Sequence, residues 1–445
     1  GVRAGSESFD LWPLTGMKRS SESISAGCLD GSKSKASRLV QGGALLALAN
    51  VGGALCNYLF QAVIGRMLTM GQFGIVNSML SISLIASVPA NAISWSMTRF
   101  VSERAGPEQR PQIAALIQQA FQRLLIWFVP LCGLWLVLAP RAAEFLNMPS
   151  SGPIYASLAI VLATLIRPIL QGSLRGLERF GVMAAANMTQ SFSRVVLGAL
   201  LVWVGTEATG ALTGNALSLV IAALVAVPFL PFRRKAEMPL GGHGFQASEL
   251  YAFFGPSLAI MGALAILSNA DMVAAKAALP AAEAGVYSAA SVFARGSLFF
   301  ILPAVSVVFP RLARQHPGDR RVLELWMLAG VAGFQVVINI CGTFLAPLLI
   351  RLLLGRTESG AIDLLPRFLW SMTPMTLAMI PIHFGMARAS RRLAWGLPVI
   401  AVAYIAALVR FHVEPAWILN CLALASLCAL LYSVATCTLG RRPDV

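Results

Sequence analysis

The sequence predicts an all-α, polytopic membrane protein with twelve transmembrane helices in two six-helix lobes, and three observations carry that prediction. Hydrophobic residues make up 57% of the 445 and charged residues only 12%, with a mean hydropathy of +0.73; soluble domains run near a quarter charged. From residue 42 onward, apolar runs recur near the length of about 20 residues that crosses a bilayer as a helix. Basic residues then gather in alternate connections, as in loops held on one side of a membrane.

Residues 1–38 are polar, rich in Ser and Gly, carry Lys18, Arg19, Lys33, Lys35 and Arg38, and lack an apolar core of signal-peptide length. They read as a disordered cytoplasmic tail; the chain opens on Gly, and Met17 ahead of Lys18 and Arg19 is a candidate initiator. Six spans follow at 42–64, 74–98, 114–138, 153–173, 181–204 and 208–231, closed by Arg233, Arg234 and Lys235. A polar connector through Gly241, Gly242, His243 and Gly244 leads to a second set at 252–279, 284–309, 322–345, 362–386, 393–409 and 416–439, closed by Arg441 and Arg442. The expected organisation is a tail (1–38), a lobe (39–236), a connector (237–249) and a second lobe (250–445).

Loop charge orients the chain, because Lys and Arg in short loops are retained on the cytoplasmic side. One side collects the tail, Arg99 with Arg104 and Arg110, Arg175 with Arg179, the Arg233 cluster, Arg311 with Arg314, Arg320 and Arg321, Arg388 with Arg391 and Arg392, and the C-terminus. Both termini are therefore expected in the cytoplasm, with the chain in the cytoplasmic (inner) membrane. These loops account for the net charge of +15, and there is no basic and aromatic platform for nucleic acid. The outer loops are short, so nothing large is on hand to hold the acceptor of a membrane transferase. His243, His316, His383 and His412 lie in separate segments, and no Ser-His-Asp set, H-E-x-x-H or Walker loop appears. Cys56, Cys132, Cys341, Cys421, Cys428 and Cys437 sit in apolar runs without C-x-x-C spacing. Catalytic residues, metal ligands and cofactors are not expected.

The halves echo each other weakly. Leu68 and Gly74 are spaced like Leu279 and Gly285; Arg66 and Lys276 precede each pair, Asn77 and Ser288 follow each Gly by three, and Arg99 and Arg311 close the next helix. Duplication of a six-span unit would relate the lobes by a pseudo-twofold along the membrane normal, with a cleft between them.

Polar residues inside apolar spans are the candidate functional groups. Asn50, Asn57 and Gln61 share one face of the first helix, and Asn77, Ser81 and Asn91 one face of the second, with Pro89 a candidate kink. Such amides either bond helix to helix or offer donors and acceptors to sugar hydroxyls. Arg167 and Gln171 lie one turn apart on the fourth helix, and Asn187, Gln190, Ser191 and Arg194 along the fifth; Arg167 is expected to snorkel toward the cytoplasm and Arg194 to tie the two helices together. Between Asn269 and Arg295 a helical hairpin carries charge in apolar sequence, where a charged group costs about 2.5–3.5 kcal/mol on insertion scales. Asp271 and Lys276 are about 140° apart around their helix and do not pair. Asp271 can bridge to Arg295 on the next helix, couple transport to a cation, or do both. Ser288, Ser291 and Arg295 share one face and would form a cationic, hydroxyl-lined strip.

Several stretches resemble the oligosaccharide and lipopolysaccharide flippases of the multidrug, oligosaccharidyl-lipid and polysaccharide exporter superfamily. They are Asn57-Tyr58-Leu59-Phe60 running into Gly65-Arg66-Met67-Leu68 and Phe73-Gly74, the segment from Leu170 through Gly172, Arg175 and Arg179 to Gly181, and the hairpin from Asn269 to Arg295. The resemblance spans nearly all of 40–440. It implies a central cavity lined mainly by the first two helices of each lobe, and alternating access that carries a polyprenyl-diphosphate-linked oligosaccharide outward for cell-surface polysaccharide biosynthesis. On that basis Asn50, Asn57, Gln61, Asn77, Asn91, Ser288, Ser291 and Arg295 are candidate substrate contacts and Asp271 the candidate ion-coupling residue. Arg295 is the candidate diphosphate ligand, since Arg offers a fork that matches phosphate oxygens. Expected partners are the lipid-linked substrate, membrane lipids, a proton or sodium ion and a polysaccharide polymerase. The basic residues that line the cavity of peptidoglycan-precursor flippases have no obvious match in the first lobe. The alternatives are a cation-coupled exporter of small amphipathic compounds and a non-transporting scaffold of a glycan assembly complex; an integral-membrane transferase is disfavoured.

Overall fold

The computed structural model describes residues 45–46, 48–103, 110–231, 247–312, 317–387, 390–410 and 414–439. The predicted tail, the connector up to residue 246 and the closing clusters at Arg233 and Arg441 lie outside the described residues. Helices dominate, and no strand occurs among the described residues. In chain order they are α1 (Leu48–Met67), α2 (Met70–Ala86), α3 (Val88–Glu103), α4 (Arg110–Phe145), α5 (Gly152–Gly176), α6 (Phe180–Leu201) and α7 (Glu207–Ala226). There follow α8 (Ala247–Ala278), α9 (Ala281–Leu312), α10 (Pro317–Phe344), α11 (Ala346–Leu354), α12 (Ser359–Ala387), α13 (Arg391–Arg410) and α14 (Pro415–Leu439). Among the described residues eight helical stretches are long and apolar enough to cross a bilayer, one of them running through α6 and α7 together. This is a multi-pass membrane protein, and each predicted span falls on a helix.

One expected kink is a full break, and one element was not expected. The second span is a pair of helices broken at Ser87, because Pro89 brings no N–H to the ladder and its ring blocks continuation of the preceding turn. Ser87 closes the break, its N–H donating to Ser83 O at 3.0 Å and its hydroxyl to Leu84 O at 2.8 Å. The short α11 was not expected. Its buried Ala346, Ile350, Leu353 and Leu354 recur at helical spacing, and Gly355 ends it in the left-handed region at φ 70°, a conformation glycine adopts without strain.

Apolar side chains point outward as well as inward: Leu48, Val51, Leu55 and Leu59 form an exposed stripe on α1, and Phe192, Val196 and Leu200 one on α6. Lipid is as apolar as these side chains, so helix association rests on close packing and interhelical hydrogen bonds rather than on expulsion from water. The centre is α2, which packs on α5 and α7 of its own half and on α8 and α9 of the other. Close approach there needs glycine: a Cβ on Gly74 would lie 3.0 Å from the Gly285 nitrogen, and one on Gly285 would run into the Met70 carbonyl. The residues that echo each other in sequence thus meet where the halves join.

Candidate functional site

The α8–α9 hairpin brings Asp271 and Arg295 together. Asp271 is fully buried, and Arg295 Nη2 donates to both of its carboxylate oxygens, at 2.6 and 2.7 Å. Arg295 Nη1 donates to Asn269 Oδ1 at 3.0 Å and to the Ser268 carbonyl. Tyr287 completes the cluster, its hydroxyl donating to Asp271 Oδ2 at 2.9 Å while its ring packs 5.0 Å from that of Phe368 on α12. One terminal nitrogen serves both carboxylate oxygens and the other is held by Asn269 and the Ser268 carbonyl, and such added hydrogen bonds help a buried ion pair to offset its desolvation. Removing either partner strands the other charge, at about 3–5 kcal/mol. Sequence reasoning missed Tyr287; the signal was a hydroxyl one turn before Ser291 on the strip that carries Arg295.

A second polar network joins α1, α5 and α6. Arg194 Nη1 donates to Asn57 Oδ1 at 2.8 Å, and the guanidinium lies over the Phe60 ring, 4.1 Å from its centroid. Two turns earlier Asn187 stands 3.5 Å from Asn50 and accepts from Arg167 Nη2 at 3.0 Å, with Gln171 2.8 Å away. The Asn50 and Asn57 stripe on α1 therefore faces Asn187 and Arg194 on α6 in parallel register. The tie between the fourth and fifth spans, expected of Arg194, is made instead by Arg167, which bonds Asn187 rather than only snorkelling, and Arg194 reaches α1.

The other candidates are more enclosed. Gln61 Nε2 donates to Asn77 Oδ1 at 3.0 Å, and Asn77 Nδ2 to Phe73 O at 3.1 Å, so these two join α1 to α2. The hydroxyls of Ser288 and Ser291 donate to Ala284 O and Ser288 O on their own helix, and both side chains are buried. Asn91 lies on α3, but its side chain is outside the described ones. In this conformation the structure unites Asp271 with Arg295, and Asn50 with Asn57 across α6, but it does not bring the two groups into one continuous cluster.

At the end of the molecule that holds the α1–α2 and α8–α9 turns, the halves are tied twice in the same manner. Arg66 Nη2 donates to the Leu352 carbonyl of α11 at 2.7 Å. Lys276, buried despite its charge, donates to the Asn147 carbonyl after α4 at 3.1 Å, and the Asn147 amide returns a bond to Ala277 O at 2.9 Å. Asn147 sits in the left-handed region at φ 47°, which Asn tolerates better than most residues. Beside Arg66 a groove of about 300 Å³ is lined by Tyr58, Ala62, Val63, Phe293 and Leu353. Among the described residues no cluster of His, Cys, Asp or Glu could hold a metal ion.

A family model described as polysaccharide biosynthesis protein matches residues 39–316. A search of curated proteins by sequence returns no match. Among solved structures the chain is similar to the inward-facing conformation of a multidrug resistance MATE family transporter of the MOP superfamily, with a TM-score of 0.69 at 12% identity over 88% of this chain and 96% of that one. The outward-facing conformation of such a transporter superposes at 0.54, with 12% identity over 90% and 95% of the two chains. The lipid II flippase MurJ in an inward closed conformation superposes at 0.59, with 12% identity over 91% and 88%. At these identities the likeness is one of fold.

Proposed function

The chain belongs to the polysaccharide biosynthesis protein family, and from that premise we propose that it is a flippase moving a polyprenyl-diphosphate-linked oligosaccharide across the cytoplasmic membrane by alternating access. The solved proteins of this fold named above are transporters and a flippase, not enzymes. The observation that carries the reading is the Asp271–Arg295 pair, an intramembrane ion pair on helices that contact the opposite half. A proton or sodium ion taken up by Asp271 would weaken its hold on Arg295 and free the guanidinium fork for the substrate diphosphate. Asn50, Asn57, Gln61, Asn77 and Asn91 would meet the sugars, with Ser288 and Ser291 on the Arg295 face. Two six-helix lobes, cytoplasmic termini and a polymerase partner belong to the same proposal. A phosphatase reporter that is active after Lys235 and silent in the 206–209 turn would invert that orientation.

The central test is glycan export in cells that lack the wild-type gene. With export normalised to protein abundance, Asp271→Asn should uncouple it from the ion gradient, Arg295→Lys should keep part of it and Arg295→Ala little. Full export by the Asp271→Asn, Arg295→Gln double mutant would make the pair a structural tie and remove it from the mechanism. A second reading, since transporters described as multidrug resistance proteins share this fold, is a cation-coupled exporter of small amphipathic compounds. Drug resistance that changes without loss of glycan would select it.

A further inference from the structure

We propose that Arg167 and Arg194 form a standing anion site in the N-terminal half, one that takes the substrate's phosphate groups while Arg295 is locked on Asp271. The proposal rests on the flippase reading for the identity of the ligand, but its geometry stands apart from it. Among the described residues neither arginine meets a carboxylate: Arg194 is held by Asn57 Oδ1 at 2.8 Å and Arg167 by Asn187 Oδ1 at 3.0 Å. With its amide turned, Gln171 also accepts from Arg167 Nε and Nη2 at 2.9 and 3.1 Å. Neutral amide oxygens orient a guanidinium without cancelling its charge. Two uncancelled cations within membrane-spanning helices are costly, and groups retained at that cost mark substrate pathways.

The fork is also pre-oriented and under-used. Phe60 lies against the Arg194 guanidinium, 4.1 Å away, which fixes its plane. Arg194 Nε is buried without an acceptor among the described residues, and only one bond to Nη1 is made, although a guanidinium carries five N–H donors. Phosphate oxygens supply both the missing charge and the missing acceptors. Both arginines are half-buried, and Arg194 lies on the face of α6 that meets α1, away from the exposed Phe192 and Val196. The ligand class is a lipid phosphate or diphosphate ester.

The test is binding of farnesyl diphosphate, a water-soluble isoprenyl diphosphate, to the purified full chain in detergent, with phosphatidylglycerol as competitor. Arg194→Gln and Arg167→Gln should each weaken binding about tenfold or more. Arg194→Lys should fall between, since it keeps the charge and loses the fork, and Arg356→Gln, which alters an exposed pair with Glu358 and a 3.5 Å bond to the Leu68 carbonyl and touches neither arginine of the site, should bind as the parent does. An unchanged dissociation constant in Arg194→Gln, with only a lowered melting temperature, would make the residue a helix tie and overturn the site. Equal displacement by phosphatidylglycerol would assign the site to membrane headgroups and overturn the substrate assignment. Loss of binding in Arg295→Gln with none in Arg194→Gln would move the ligand to the other half. The assay needs no transport, so its failure leaves the flippase reading standing. Conversely, glycan export that persists without the gene would remove that reading and leave the anion site in place.

Discussion

Arg194 lies within a helical stretch long and apolar enough to cross a bilayer and Arg295 within the span predicted at 284–309, and their surroundings differ in kind. Arg295 spends both terminal nitrogens on acceptors contributed by α8, two of them the oxygens of the fully buried Asp271. Arg194 has a single amide and an aromatic face. The first is a pair of opposite charges that balance each other; the second is a cation with no carboxylate on it among the described residues. On the proposed function, a site that is always charged would capture an anion and a site that is switched would release it.

The largest expected effect tests the difference directly. Arg295→Ala leaves the Asp271 carboxylate buried without its cation and should cost about 3–5 kcal/mol of stability. Arg194→Ala leaves one amide oxygen unpaired and should cost about 1–3 kcal/mol. Unfolding of both variants in the same detergent, followed by tryptophan fluorescence or thermal shift, measures the gap. Equal losses would mean that Arg194 holds the fold together as strongly as Arg295 does, and the contrast would collapse.

Sequence pattern conveyed one half of this contrast and not the other, for a reason of chain distance. Asp271 and Arg295 sit on consecutive helices joined by a short turn, so hairpin geometry alone makes them neighbours. Asn57 and Arg194 are far apart in the chain, with several spans between them, and nothing in either helix says that they touch. Their stripes were nevertheless visible: Asn50 with Asn57 and Asn187 with Arg194 share a seven-residue spacing, and it is those two ladders that face each other. The spans themselves were legible because a bilayer demands about 20 apolar residues per helix. The kink at Pro89 was legible from the residue itself, which breaks the helical ladder, whereas the short α11 was not, since it depends on how a backbone ends rather than on hydropathy.

A smaller effect separates the members of the second-half cluster. Tyr287→Phe removes the hydroxyl that donates to Asp271 Oδ2 but leaves Arg295 in place, and it should cost about 1–2 kcal/mol. A double-mutant cycle with Asp271→Asn should return a coupling of roughly 0.5–3 kcal/mol, as residues in one hydrogen-bond network do. Additive losses would show that the carboxylate answers to Arg295 alone, and the cluster would shrink to a pair.

The smallest effect concerns the end of the molecule at which the halves behave alike. Arg66 and Lys276 occupy echoing positions, each just before the turn that leads into the next helix, and each donates across to a backbone carbonyl that follows the third span of the other half, at Leu352 and Asn147. The acceptors are backbone atoms fixed at the ends of the third spans, so each bond forms only when the two ends are together. Arg66→Met and Lys276→Met should each remove about 1–2 kcal/mol from the closed arrangement, roughly a five- to thirty-fold change in the closed-to-open ratio. Ala281 packs against Gly71 at the same junction, so Ala281→Cys in a background without other cysteines gives a labelling rate that rises as the ends part. Both substitutions should raise that rate by similar factors, and Lys276→Arg should raise it least, because its donor survives. A response to one substitution and not the other would show that the halves are as unlike at this end as they are around their arginines.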